Sequence, residues 1–166
     1  MKHHVTLWYI QDSMSLEIGS KLPLIKLNDK DGNPFDSSTD IVNQPSVIYF
    51  YPKNFTPGCT AEACSFRDAY EDFIAHGVRV IGISSDSESS HQKFAKRFNL
   101  PFTLLADENK EVRKSFDVQG KLMGLLPGRE TFVFDANGIL VFKFDGMNAG
   151  PHITKALEII QSLDND

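Results

Sequence analysis

Apolar and polar residues along the chain change period several times, and each change marks an element. Residues 22–27 alternate well enough for a strand, and the turn run Lys30-Asp-Gly-Asn after them makes an N-terminal hairpin. Residues 47–51 are continuously β-branched or aromatic, as in a strand buried on both faces, and Pro52 ends it. From about residue 57 to 76 the period becomes helical. Ala63, Phe66, Ala69, Tyr70 and Phe73 recur at steps of three and four, and Gly77 closes the helix. A second buried strand follows at 79–84. Next come an amphipathic helix at 87–98, with Phe94 and Phe98 on one face, a short strand at 102–105 and a short helix at 111–116. Residues 131–134 and 139–142 flank Asp135-Ala-Asn-Gly, a hairpin signal, and a last helix spans 153–163. Strands alternating with helices predict an α/β fold with a mostly parallel central sheet, made mixed by the late hairpin. Residues 1–16 read as an N-terminal extension and 17–166 as one domain.

Composition narrows the function classes. A 166-residue chain that is 41% hydrophobic can bury a core of ordinary size, and no low-complexity tract interrupts it. The net charge is −5 with scattered basic residues, so nothing predicts a nucleic-acid partner or an anionic membrane surface. No apolar run approaches the roughly 18 residues of a membrane span, and residues 1–13 lack the features of a secretory signal. A cytoplasmic protein is expected. Two cysteines are too few for a disulfide scaffold, so a catalytic or redox-sensing pair is expected instead. No metal site is expected. His76 and His91 stand alone, and the His3-His4 pair is too small a cluster.

The two cysteines, Cys59 and Cys64, follow Thr56-Pro57-Gly58 directly after the buried strand. Thr56 suits an N-cap and Pro57 the first helical position, which places Cys59 in the first turn of a helix. Free N–H groups there favour a thiolate, and later a sulfenic acid or bound peroxide oxygen. Gly58 leaves room for a small substrate. The Thr56 hydroxyl can both donate and accept, so it can hold sulfur and peroxide together, while Pro52 closes the pocket without adding a polar group. This arrangement suits attack by sulfur on an O–O bond, giving Cys59–SOH, with Cys64 as its partner. On an intact helix the two residues differ by a rise of ~7.5 Å and a rotation of ~140°, so their Cα atoms stand ~9 Å apart. A disulfide tolerates ~7 Å, so pairing requires the first turns to unwind. The alternative is a pair of buried, inert thiols.

The run from Phe50 through Pro52, Thr56, Cys59 and Cys64 to Asp68 resembles the active-site segment of peroxiredoxins, and most of all the bacterioferritin comigratory protein, or peroxiredoxin Q, subgroup. The resemblance continues at residues 81–87, 90–94, 100–107 and 128–134, and covers about residues 17–163. It implies a thioredoxin-like fold, a central mixed sheet flanked by helices with an N-terminal hairpin, and a thiol peroxidase that needs no cofactor. By position Cys59 matches the peroxidatic cysteine, Cys64 the resolving cysteine of members that form an intramolecular disulfide, Thr56 and Pro52 the pocket residues and Arg129 the active-site arginine. The implied partners are a peroxide and thioredoxin or a similar dithiol protein, and an internal resolving cysteine favours a monomer. Glu62 also matches, either supporting the helix start or organising Arg129. His152 matches a subgroup histidine and reads as a helix-start residue. Lys53, Asn54 and Phe55 depart from the acidic residues frequent in relatives. A redox sensor and a general disulfide oxidoreductase are the competing functions.

Overall fold

The computed structural model describes residues 16–118, 120 and 128–165. The elements in chain order are β1 (Lys26–Asp29), β2 (Pro34–Asp36), α1 (Ser37–Asp40), β3 (Ser46–Phe50), α2 (Pro57–Asp68), α3 (Tyr70–Ala75), β4 (Arg79–Ser84), α4 (Glu88–Phe98), β5 (Thr103–Ala106), α5 (Glu111–Ser115), β6 (Glu130–Phe134), β7 (Leu140–Asp145) and α6 (Gly150–Leu163). Among the described residues the strands form one seven-stranded sheet in the order β2-β1-β5-β4-β3-β6-β7. Only β3, β4 and β5 run parallel; β1 joins β5, and β6 joins β3, antiparallel. The sheet is therefore mixed, and less parallel than the alternation of strands and helices predicts, because the N-terminal hairpin enters it too.

The period of two along β3 divides the core. Val47 and Tyr49 pack on one face with Ala63 and Phe66 of α2, Phe94 of α4 and Ile153, Ala156 and Ile160 of α6. Ile48 and Phe50 pack on the other with Ile81, Phe116, Phe132 and Phe134. Both faces are covered, which is why β3 reads as an unbroken apolar run. Tyr49 lies stacked on Phe66 at 4.5 Å between ring centres, and Gly82 on β4 makes room for it: a Cβ there would stand 2.8 Å from the Tyr49 hydroxyl.

Three boundaries differ from expectation, each for a local reason. The first strand begins at Lys26 rather than near residue 22, because Leu22 N–H bonds to Gly138 O at 2.8 Å and Ile25 N–H to Ser37 Oγ at 2.9 Å. The helix expected over 57–76 breaks at Ala69 (φ −93°, ψ 2°) into α2 and α3. Phe66 and Phe73 remain 5.8 Å apart across the break, so the apolar period persists where the backbone does not. The last helix starts at Gly150, with Pro151 in its first turn, where no N–H is needed. Of the extension expected over residues 1–16, residues 1–15 lie outside the described residues; Leu16 is buried, and its carbonyl accepts from Lys143 Nζ.

Candidate active site

The site begins where β3 hands the chain to α2. Between them the loop turns on Asn54, a buried amide. Its N–H donates to Asp86 Oδ2 at 2.9 Å, its Nδ2 to Ser90 Oγ at 3.1 Å, and its Oδ1 accepts from Tyr51 OH at 2.6 Å. Nδ2 also lies 3.1 Å from Nδ1 of His91, which is wholly buried, and burial holds His91 below its ordinary pKa. Three contacts of the Asn54 side chain and one of its backbone N–H hold the loop while Phe55 adopts a left-handed φ of 63°, a conformation that costs energy for a bulky residue. The backbone then runs extended through Thr56 into α2. Asn54 is thus the anchor of the pocket loop. His91, isolated in sequence, belongs to the same anchor.

Thr56 occupies the N-cap position, but its side chain does not cap the helix. Its Oγ1 donates to Lys53 O at 2.9 Å. The hydroxyl hydrogen is thereby fixed on the loop, and the oxygen keeps its lone pairs for an incoming donor. The first intrahelical bond, Thr60 N–H to Thr56 O at 2.9 Å, leaves the N–H groups of Gly58 and Cys59 in the unpaired first turn. Pro52 is half-buried at the start of the loop.

Cys59 is 2% exposed. Arg129 reaches it from just before β6: Nη2 lies 3.2 Å from Sγ, Nη1 donates to Glu62 Oε1 at 2.6 Å, and Nε donates to Met147 O at 3.1 Å. Three acceptors in three directions fix the guanidinium plane. Burial opposes its charge, but Glu62 and Cys59 hold its pKa above the ordinary value. A Cβ on Gly58 would stand 3.2 Å from Nη2, so this glycine makes room for the guanidinium as well as for a substrate. Upstream of Arg129, Arg113 donates to Gly128 O at 3.1 Å and to Tyr51 O at 2.9 Å, tying the arginine's segment to the end of the pocket strand.

The structure therefore brings Cys59 and Arg129 together, with Thr56 three residues before the sulfur and Pro52 at the head of the loop. Cys64 is not brought to Cys59. Both are free thiols within uninterrupted α2, Cys64 half-exposed, so helical geometry keeps their Cα atoms ~9 Å apart. Of the two roles the sequence left open for Glu62, the structure shows the contact with Arg129, while the surroundings of His152 were not foreseen. Glu62 is wholly buried, and burial pushes its carboxyl up to about 7 although Arg129 pulls it down. His152, also wholly buried, lies 2.8 Å from Thr131 Oγ1 and 2.6 Å from Gly146 O, and is no mere helix-start residue. The spacing Cys59 to Glu62, three residues on one helix face, was the available signal. Among the described residues no cluster of His, Cys, Asp and Glu could hold a metal ion.

The AhpC/TSA family matches residues 18–143. Chloroplastic peroxiredoxin Q of Sedum lineare is 47% identical over 146 residues, covering 87% of this chain and 78% of the relative. The chain belongs to the AhpC/TSA family, in its peroxiredoxin Q branch. Chloroplastic peroxiredoxin Q of Arabidopsis thaliana is 43% identical over 145 residues, covering 87% of this chain and 67% of that one. The crystal structure of peroxidoxin BcpB from Mycobacterium tuberculosis superposes with a TM-score of 0.82 at 32% identity, over 89% of this chain and 98% of that one. A cysteine-to-serine mutant of Xylella fastidiosa PrxQ gives 0.84 at 28% identity, over 90% and 98%. The fold is thus thioredoxin-like, and this peroxiredoxin is a thiol-dependent peroxidase that acts on peroxide and draws on a thioredoxin-like reductant. The cytoplasmic location expected from the sequence is overturned: these plant relatives are chloroplast proteins by name.

Proposed function

We propose that this peroxiredoxin runs an atypical two-cysteine cycle within one chain. Cys59 attacks as the thiolate. Its sulfur takes the terminal peroxide oxygen, the O–O bond breaks, and the departing oxygen leaves as water or an alcohol after taking a proton, giving Cys59–SOH. The observation that supports this best is the contact of Arg129 Nη2 with Cys59 Sγ at 3.2 Å in the unpaired first turn of α2. A fixed guanidinium and free N–H groups in a buried pocket stabilise a thiolate and the charge that develops on peroxide oxygens. The lone pairs of Thr56 Oγ1 accept from the peroxide hydroxyl, and Pro52 shields the pocket.

Cys64 then attacks the oxidised sulfur, expels water and forms an intramolecular disulfide, which a dithiol protein of the thioredoxin type reduces. Since ~9 Å of intact helix separates the two Cα atoms, the start of α2 unwinds before this step. The Ser65 hydroxyl, bonded to Ala61 O at 2.8 Å, already competes with the helix ladder between the cysteines. An internal partner makes a second subunit unnecessary, and a monomer follows.

Stopped-flow peroxide consumption tests the assignment. Cys59→Ser is expected to abolish consumption. Cys64→Ser is expected to consume one peroxide and then fail to recycle with thioredoxin. Full thioredoxin-coupled turnover by Cys59→Ser would refute the cycle.

A further inference from the structure

Arg129 is one cation facing two groups that can each be an anion, Cys59 Sγ at 3.2 Å and Glu62 Oε1 at 2.6 Å. The second carboxyl oxygen of Glu62 is placed differently. Oε2 is buried and has no hydrogen-bond partner among the described residues. His152 Nδ1 stands 3.8 Å away but offers it no charge. The Gly146 carbonyl can only accept, so His152 Nε2 carries the ring hydrogen, and Nδ1 accepts from the Thr131 hydroxyl. Burial holds His152 below its ordinary pKa, consistent with a neutral ring. Tyr49 on β3 faces the same region, its hydroxyl also buried without a hydrogen-bond partner among the described residues, and Asp145 at the end of β7 favours positive charge on His152 where Arg129 opposes it. Arg129 is the cation bonded to both Cys59 and Glu62; Arg113 also acts on Cys59 electrostatically but donates to Gly128 O and Tyr51 O instead. A bare anionic oxygen in such a place is costly, and a proton on it removes the cost.

We propose that the pocket keeps one negative charge opposite Arg129 in each state of the cycle, on the Cys59 sulfur when reduced, with Glu62 protonated, and on Glu62 once Cys59 is a sulfenic acid. This rests on Cys59 being the attacking thiolate, as proposed above. The step balances. Protonated Glu62, the Cys59 thiolate and a hydroperoxide become ionised Glu62, Cys59–SOH and an alcohol or water. Sulfur gives up two electrons, the O–O bond takes them, and the proton lost by the carboxyl equals the one gained by the leaving oxygen. Glu62 is a positioning residue. It acts through Arg129, leaving the guanidinium's charge to sulfur during attack and holding the guanidinium in place afterwards.

Proton counting tests this. In a Cys64→Ser background the reaction stops at the sulfenic acid. The protein is mixed with hydrogen peroxide in weak buffer at slightly acidic pH with an indicator dye. Ultraviolet absorbance establishes the thiolate beforehand, and a trapping dione counts the sulfenic acid formed. Cys64→Ser is expected to take up almost no proton from solution, and Glu62→Gln/Cys64→Ser about one per sulfenic acid. Infrared difference spectra of Cys64→Ser alone are expected to show a protonated carboxyl band lost on oxidation. Uptake of a full proton with Glu62 in place, or an unchanged carboxyl band, would overturn the proposal. Failure to form any sulfenic acid at Cys59 would instead overturn the assignment of the attacking sulfur.

Discussion

Arg129 spends its donors on Cys59, Glu62 and the Met147 carbonyl at once, and no shorter or rounder cation can do the same. A lysine ammonium there would keep the charge but lose the fork. Arg129→Lys is therefore expected to lower the rate of peroxide reduction by about 10²-fold, the typical loss of one preorganised donor, with near-ultraviolet dichroism showing an intact fold. This residue also marks the limit of sequence reading. Cys59 was legible from its neighbours, because Thr-Pro-Gly announces a helix start. Arg129 lies 70 residues away and was placed by family resemblance alone. His91 looked isolated because its partners Tyr51 and Asn54 stand 40 and 37 residues away, and His152 read only as a helix-start residue because Thr131 stands 21 residues from it.

Helix α2 combines two demands that conflict. In the proposed cycle its first turn has to be ordered to present Cys59 to Arg129, and later disordered to release it. Gly58 sits at the point of conflict. Alanine there is a better helix former by up to ~1 kcal/mol, yet its Cβ would press on Arg129 Nη2 from 3.2 Å. Gly58→Ala is expected to unfold at an equal or higher temperature while reducing peroxide about tenfold more slowly, the cost of displacing a catalytic cation by a few tenths of an ångström. Thermal melts and stopped-flow rates on the same sample check both halves. Most elements of the fold were legible from period alone. The short helix α1 and the break at Ala69 were not, since the first spans only four residues and the second leaves the spacing of Phe66 and Phe73 undisturbed. The side-chain cap expected of Thr56 failed because a loop carbonyl, Lys53 O, took its hydrogen.

At the scale of the whole molecule the sheet, packed on both faces, holds fixed what α2 has to leave and return to. Glu62 couples that frame to pH. Burial raises its carboxyl from the ordinary 4.5 to about 7. The folded form thus binds a proton that the unfolded chain releases. The associated stability is fully present below the unfolded value and is lost as pH rises through about 7. Urea denaturation of the reduced protein is expected to show a loss of about 2–3 kcal/mol between about pH 5 and pH 9 that Glu62→Gln does not show. The two-stage use of α2 is tested most directly by amide hydrogen exchange before and after one equivalent of peroxide, with the Cys59–Cys64 disulfide verified by mass spectrometry. Exchange is expected to accelerate over residues 59–64, with loss of far-ultraviolet helix signal, while β3 and β4 stay protected. A proven disulfide with unchanged exchange in that segment would contradict the unwinding step and the roles built on it.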